Sequence, residues 1–202
     1  MDTRSAQLVS YLQSLPGFEI VTPPEESYNH MGATLTDAVL QAGVNYKHVV
    51  QPRVERIRLN YPEATTANAF LVLLEQESTQ RILNWKGQRK PDTLLTLTKF
   101  LVVQQVETES DLRSWLLSAE NREALLTIKG IGAKTIDYLG LLVGEQTVAI
   151  DTHIFKLLRA ANLPTQDYNK AHRLVSGAAD QMGVPRASLD FSIWRYMSAV
   201  AK

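Results

Sequence analysis

Apolar residues recur at the spacing of an α-helix along almost the whole chain. The three-to-four-residue period is clearest at Leu8–Leu12, Leu35–Leu40, Val50–Ile57, Phe70–Leu74, Leu94–Leu101, Leu112–Leu116, Ile136–Leu142, Ile154–Leu158 and Leu174–Ala178. Prolines, which interrupt helices, fall between these stretches at Pro16, Pro23, Pro24, Pro62, Pro91, Pro164 and Pro185. No stretch alternates apolar and polar residues as a strand would, and no repeat appears. The pattern predicts an all-α fold of ten or eleven short helices.

The composition excludes several classes of protein. The chain has 202 residues, 45% of them hydrophobic, which is enough for one large domain or two small ones. Because it has no cysteine, disulfides, a cysteine-held iron–sulfur cluster and a thiolate zinc site are excluded, and we predict neither a cofactor nor a bound metal. No apolar run approaches the roughly twenty residues of a membrane span. We therefore expect a monomeric, soluble, intracellular protein that does not engage a membrane.

The chain is neutral overall, but one stretch of it is basic. With 21 basic and 21 acidic residues, the chain lacks the excess of positive charge usual in nucleic-acid-binding proteins. The stretch from Arg81 to Lys90 nevertheless carries four basic residues and no acidic one. Lys86 and Arg89 in this stretch are candidate DNA contacts, and the alternative is that residues 86–91 form a solvated polar turn.

A glycine-containing segment, Ile128 to Gly132, predicts a hairpin between two helices. Its glycines can adopt the positive φ of a tight turn, and its isoleucines offer apolar anchors. The amides of the hairpin and of the next helix's first turn have no partner within the helix, so they can point at a phosphate oxygen. This predicts a DNA backbone contact without sequence preference, formed by Lys129, Gly130, Ile131, Gly132 and Ala133.

The hairpin and a second motif together resemble a known family. Gly130-Ile131-Gly132-Ala133-Lys134 followed by Ile150-Asp151-Thr152-His153 is similar to the endonuclease III branch of the helix-hairpin-helix DNA glycosylases. The resemblance implies two helical lobes with DNA between them: a central barrel at residues 61–144, and a second lobe formed by residues 1–60 and 145–202. It also implies that Lys134 comes from one lobe and Asp151 from the other. The chain lacks the four-cysteine cluster found near the C-terminus of many members.

Lys134 and Asp151 are the predicted catalytic residues. In the family, a lysine at this position accompanies strand-cleaving lyase activity in addition to base removal. A neutral lysine amine can attack C1′ of a deoxynucleotide, which displaces the base and leaves an iminium. A nearby carboxylate can stabilise the positive charge that develops on the sugar. Asp151 also has a structural explanation as the N-cap of a helix from Thr152 to Ala161, and the two roles are compatible.

Two weaker candidates lie elsewhere. The segment Leu73-Leu74-Glu75-Gln76-Glu77 resembles a family segment whose glutamine fills the gap left by an extruded nucleotide, and Gln76 is the candidate for that role. The alternative is an exposed polar residue at a helix end. Tyr46 could stack on a flipped base, although an anchor for an amphipathic helix is the simpler interpretation.

These observations predict a base excision repair glycosylase with abasic-site lyase activity. Its partner would be double-stranded DNA that contains a damaged base or an abasic site. The alternative is a protein of the same fold that binds DNA or abasic sites without productive base excision. The neutral charge and the missing cysteine cluster favour this alternative, whereas the lysine and the aspartate favour the enzyme.

Overall fold

A computed structural model describes residues 3–23 and 27–200, and within these ranges the chain forms helices and connecting loops without a β-strand. A short π-helical turn, Tyr46–Val50, leads directly into the third helix. The α-helices are α1 Thr3–Ser14, α2 Met31–Leu40, α3 Gln51–Asn60, α4 Ala67–Gln76, α5 Thr79–Leu83, α6 Arg89–Val103, α7 Glu109–Trp115, α8 Ala119–Leu125, α9 Ala133–Leu142, α10 Thr152–Ala160, α11 Tyr168–Met182 and α12 Arg186–Val200. The predicted all-α class is confirmed, with twelve α-helices in the described residues rather than ten or eleven.

Side-chain caps set where many of the helices begin. In these caps, an oxygen of the residue before the helix accepts a hydrogen bond from a backbone amide of the first turn. Thr108 does so for α7, and the carboxylate of Asp111 bonds back to the Thr108 amide, which completes a reciprocal capping box. Single caps of the same kind are formed by Thr66, Ser78, Ser118, Asp151 and Asp167. Short polar residues therefore mark the start of several of the helices.

The chain folds as two compact units. The first unit is built from both chain ends, namely the described residues up to 23 together with those from 145 onward. In it α1 packs along α11, and α12 packs against α10 and α11. The Ser5 hydroxyl donates to the Leu174 carbonyl oxygen at 3.2 Å, and a Cβ at Gly177 would lie only 2.7 Å from Ser5 Oγ. The glycine thus lets α1 and α11 approach closely.

The second unit comprises residues 27–144 and is built around α2. Every residue of Met31–Leu40 is buried, because α3, α4, α6 and α9 all pack against this helix. The buried Glu109 carboxylate fixes the segment that leads into α2, since it accepts from the Asn29 amide at 3.0 Å and from the His30 amide at 3.2 Å. The hydroxyls of Ser27 and Thr34 donate to the same carboxylate.

The division between the units differs from the expected one at one boundary. The sequence predicted a barrel at residues 61–144, with residues 1–60 assigned to the other lobe. In the structure residues 27–60 belong with 61–144, because α2 forms the centre of that unit's core and α3 packs against α2. The second unit ends at Gly144.

Within the described residues, no helix is both long enough and apolar enough to cross a membrane.

Candidate functional site

The predicted hairpin lies between α8 and α9 in the second unit. Gly130 has φ +98°, a conformation that side-chain-bearing residues rarely adopt. Ile128 and Ile131 are buried, so both side chains anchor the hairpin in the core, as expected. Because its side chain faces inward, Ile131 can contribute to a DNA contact only through its backbone.

Gly132 adopts a different conformation from Gly130. Its φ of −127° and ψ of 176° are extended, so the expectation of a positive φ at both glycines is wrong for this one. Gly132 is the N-cap of α9, and no side chain caps this helix. A Cβ built at Gly132 would meet no atom within 4 Å. The N-terminal end of α9 is therefore uncovered by neighbouring atoms of the second unit at this point.

Helix α6 holds the hairpin in place through Thr93. The Thr93 hydroxyl lies 3.0 Å from the carbonyl oxygen of Lys129 and 2.9 Å from that of Arg89. A Cβ at Gly130 would lie only 2.5 Å from Thr93 Oγ1. Gly130 is thus required both by its own backbone conformation and by the close approach of α6. The side chain of Lys129 itself is exposed.

Lys134 lies in the first turn of α9 and is half-buried. Its Nζ donates a hydrogen bond to Oε1 of Gln41, the C-cap residue of α2. The same Nζ lies 5.7 Å from the ring centroid of Tyr138, one turn further along α9. The amine therefore has a defined position within the second unit.

A buried carboxyl group lies next to this lysine. Asp37, fully buried on α2 one turn before Gln41, accepts hydrogen bonds from the hydroxyls of Tyr28 at 2.7 Å, Tyr46 at 2.9 Å and Tyr138 at 3.1 Å. Burial raises the pKa of the Asp37 carboxyl, although the three hydroxyls and the Lys134 ammonium act in the opposite direction. Burial also raises the pKa of each tyrosine.

Helices α2 and α9 thus each present two residues, spaced one helical turn apart, to the contact between the two helices. Asp37 and Gln41 project from α2, and Lys134 and Tyr138 project from α9. Tyr138 bonds to Asp37, and Lys134 bonds to Gln41. We refer to these four residues as the α2–α9 polar cluster. It fixes the register between the two helices, because a shift by one residue would break both contacts.

A second lysine adjoins this cluster. Lys90, in the first turn of α6, donates to the carbonyl oxygens of Leu40 and, at 2.7 Å, Ala42. Its Nζ also lies 5.1 Å from the ring centroid of Trp85. Burial lowers the pKa of Lys90 to about 8, and the positive charges of Lys134 and then Arg89 contribute to this shift.

Asp151 belongs to the first unit and caps α10, as predicted. Its Oδ1 accepts from the amide of His153 at 2.8 Å and from that of Ile154 at 3.0 Å. The predicted helix end at Ala161 is its C-cap residue. Both hydrogen bonds go to the same oxygen, and the side chain is only partly buried.

The remaining predicted contact residues lie on the surface of the second unit. Gln76 is exposed at the end of α4, and Lys86 and Arg89 are exposed around the start of α6. Because α6 begins at Arg89, only part of the predicted polar turn at 86–91 is a loop. A shallow groove beside it is lined by Arg56, Ser78, Gln80, Arg81, Asn84, Trp85 and Lys86. Three cationic side chains therefore border one surface depression.

The sequence did not indicate that Asp37, Gln41 and Lys90 lie beside Lys134. A signal was present for Asp37, because an aspartate is unusual in a helix as apolar as Met31–Leu40. For Tyr46, the anchoring interpretation agrees with its hydrogen bond to Asp37. The packing of α2 against α6 and α9, which unites these three residues with Lys134, has no signature in the local sequence.

Two solved structures share this fold. The H. pylori 3-methyladenine DNA glycosylase MagIII, bound to 1,N6-ethenoadenine, matches with a TM-score of 0.64 and 15% sequence identity, covering 98% of each chain. The Methanocaldococcus jannaschii 8-oxoguanine glycosylase/lyase, in complex with a 15mer DNA containing 8-oxoguanine, matches with a TM-score of 0.57 and 16% identity, covering 98% of this chain and 89% of that chain. These likenesses show the helix-hairpin-helix DNA glycosylase fold.

Relationships in sequence identify the family. Among curated proteins, no relative matched the sequence. Residues 6–198 match the family model described as a domain of unknown function, DUF8548, and the chain therefore belongs to that family.

Proposed function

We propose that this protein is a DNA glycosylase with abasic-site lyase activity, of the endonuclease III branch. The observation that carries the proposal is the position of Lys134, in the first turn of a helix that follows a glycine hairpin, with its amine held by Gln41. A lysine on an exposed helix face would have no such fixed position. Proximity and orientation are what an amine nucleophile requires from a protein scaffold.

The hairpin would bind a DNA phosphate. The uncapped N-terminal end of α9 offers backbone amides and the positive end of the helix dipole, which together favour an anion. Nearby, Lys129, Lys86 and Arg89 are exposed cations that would neutralise further phosphates, and Gln76 would contact DNA from the end of α4. The partner is then double-stranded DNA with a damaged base or an abasic site, bound by one copy of the chain.

The proposed chemistry begins with neutral Lys134. The amine nitrogen forms a bond to C1′ as the glycosidic bond breaks, and the base leaves with the bonding electron pair and gains a proton. The lysine nitrogen loses a proton as the sugar ring opens, which gives a Schiff base. Removal of a proton from C2′ then expels the 3′ phosphate by β-elimination, and water releases Lys134 by hydrolysing the Schiff base.

Asp151 would stabilise the positive charge that develops on the sugar while the glycosidic bond breaks. Its Oδ1 is held in position by the hydrogen bonds that it accepts from the His153 and Ile154 amides. Both amides bond to Oδ1, so capping α10 does not engage Oδ2 in these contacts.

A panel of duplexes, each with one lesion or an abasic site, tests the proposal. Base release and strand cleavage are measured separately, and borohydride is added to reduce the Schiff base to a stable adduct. We expect strand cleavage and an adduct that maps to Lys134. Lys134→Gln should bind DNA and form no adduct, whereas Lys99→Gln, a change at an exposed lysine on α6, should form it at the wild-type rate.

Three outcomes contradict the proposal. Tight binding to abasic DNA with neither base release nor an adduct would favour a protein that binds DNA without excising bases. An adduct at another lysine would remove Lys134 from the nucleophile's position. Base release without strand cleavage or an adduct would indicate a glycosylase that uses water.

A further inference from the structure

The shallow groove formed by α3, α5 and the loop after α5 carries positive charge without a counter-charge. Its lining includes Arg56, Arg81 and Lys86 and no acidic residue. None of these three side chains forms an ion pair with any residue that the structure describes, whereas the exposed Lys99 is paired with Glu75 at 2.9 Å. Three uncompensated cations around one depression attract an anion.

The two arginines have donors available for that anion. The Nε of Arg56 donates to the Ile82 carbonyl oxygen at 3.3 Å, which orients the side chain, and its two terminal nitrogens make no hydrogen bond within the described part of the chain. The Arg81 side chain makes none there either and is exposed. Because the planar guanidinium presents paired N–H groups, it matches the oxygens of a phosphate.

One wall of the groove is held in a fixed shape by backbone contacts. Asn84 ends α5 in the left-handed conformation, and the Trp85 amide donates to the Gln80 carbonyl oxygen at 2.8 Å. Arg53 donates through two nitrogens to the Asn84 carbonyl oxygen, at 3.2 and 2.9 Å, and its guanidinium carbon lies 5.1 Å from the centre of the Trp85 ring. A bound anion would therefore not have to order this wall.

The groove adjoins the α2–α9 polar cluster. The ring of Trp85 lies 5.1 Å from Nζ of Lys90, which bonds to the backbone carbonyl oxygens on both sides of Gln41. Gln41 in turn holds Lys134. Since each strand of a duplex carries a negative charge at roughly every 3.4 Å of its axis, one duplex can contact both places.

We propose that this groove binds a backbone phosphate of the duplex near the nucleotide at Lys134, and that Arg56 and Arg81 hold its oxygens. The inference rests on the proposed function, which supplies duplex DNA as the partner. A phosphate at the N-terminal end of α9 alone would leave the duplex free to turn about that point. A second fixed phosphate removes this freedom and sets the orientation of the duplex without reading its sequence.

The test uses a duplex with one tetrahydrofuran abasic analogue, which fixes the register and cannot form a Schiff base. Phosphates on both strands are replaced one at a time by uncharged methylphosphonates, and fluorescence anisotropy gives each Kd. Wild type should lose about tenfold in affinity at the phosphate in the groove. Arg56→Gln/Arg81→Gln should bind the unmodified duplex about tenfold more weakly and lose nothing further at that phosphate. Its plot of log Kd against log salt concentration should also be shallower, by about 0.9 for each lost phosphate contact.

Three further variants separate a phosphate contact from a structural role. Arg113→Gln makes the same substitution on α7, close to Gly144 at the opposite end of α9 from the hairpin, and should behave as wild type. Arg56→Lys/Arg81→Lys keeps both charges and should keep the salt dependence. Lys86→Gln, at an exposed residue of the loop, replaces the double variant in the scan if that variant does not fold. Urea unfolding checks every variant.

The inference is overturned if the folded groove variant loses as much affinity as wild type at every methylphosphonate. Failure of the proposed function gives a different result, because binding is measured without base release or strand cleavage. If the groove variant becomes insensitive at one phosphate and no adduct forms at Lys134 on abasic DNA, the groove contact stands and the proposed enzyme fails. If the adduct forms and all sensitivities remain, only the groove contact fails. A wild-type protein that binds no duplex overturns both.

Discussion

Replacing Gly132 by alanine should weaken duplex binding without loosening the fold. The φ of −127° at this residue is open to alanine, and the added Cβ would meet no atom of the protein within 4 Å. A phosphate oxygen drawn to the N-terminal end of α9 would have to approach this same point. The methyl group therefore obstructs the ligand and leaves the protein's own packing intact.

The expected changes in the free energy of unfolding distinguish Gly132→Ala from Gly130→Ala. Alanine is a poorer N-cap than glycine, which lowers the free energy of unfolding by up to about 1 kcal/mol. Alanine also restricts the unfolded chain, which raises the free energy of unfolding by about 0.4–1 kcal/mol. Gly132→Ala should thus change the free energy of unfolding by less than about 1 kcal/mol. Gly130→Ala should cost about 1–3 kcal/mol, because of its φ of +98° and the contact with Thr93. Loss of one amide hydrogen bond to a charged phosphate is worth about 1.5–3 kcal/mol, so Kd for duplex should rise about tenfold to a hundredfold in Gly132→Ala.

Fluorescence anisotropy with an undamaged duplex, at one fixed salt concentration, gives Kd for both variants and the wild type. Urea unfolding gives their stabilities. If Gly132→Ala has the wild-type stability and also the wild-type Kd, the end of α9 does not contact DNA and the phosphate contact is refuted. Weak binding in Gly130→Ala alone would be explained by distortion of the hairpin.

Asp151→Asn keeps an oxygen for capping α10 but lacks the negative charge, so we expect little change in urea unfolding and a fall in single-turnover base excision of about a hundredfold or more. Equal excision rates would leave Asp151 with the capping role alone. Binding to undamaged duplex should weaken linearly on a plot of log Kd against log salt concentration, as release of counterions requires, and a flat plot would contradict phosphate contacts. The raised pKa of Asp37 means that the folded state holds this proton more tightly than the unfolded state, so its contribution to stability is greatest below the unfolded value of about 3.9 and is lost as pH rises through the folded value. Asp37→Asn should remove that loss from the pH dependence of urea unfolding, and an unchanged profile would show that Asp37 does not titrate in this way.

The sequence pattern predicted most helices because their apolar residues form one face. Helices α5 and α8 have only 5 and 7 residues, too few for a periodic pattern to be distinctive. Helix α12 has its apolar residues scattered around the axis, in the order RASLDFSIWRYMSAV, so no face stands out. Pro91 was interpreted as a break between helices, yet it lies in the first turn of α6, where proline is tolerated.

At the candidate site, the local motif predicted the hairpin, the lysine that follows it at position 134 and the N-cap at Asp151. These depend on residues close together in the chain, such as Asp151 and the two amides that follow it. The sequence did not indicate that Asp37 and Lys90 lie near Lys134, because they are 97 and 44 residues away from it along the chain. Only the packing of three helices brings them together, and no sequence spacing encodes that packing.

The path of the chain through the two units has a consequence for the order of folding. Helix α1 packs along α11, and the whole second unit is synthesised between them. At about 5–20 residues per second, a ribosome needs roughly ten to thirty seconds to extend the chain from α1 to α11. The second unit is continuous and can form as soon as α9 has emerged. The apolar face of α1 must wait, which makes this helix a natural binding site for chaperones during synthesis.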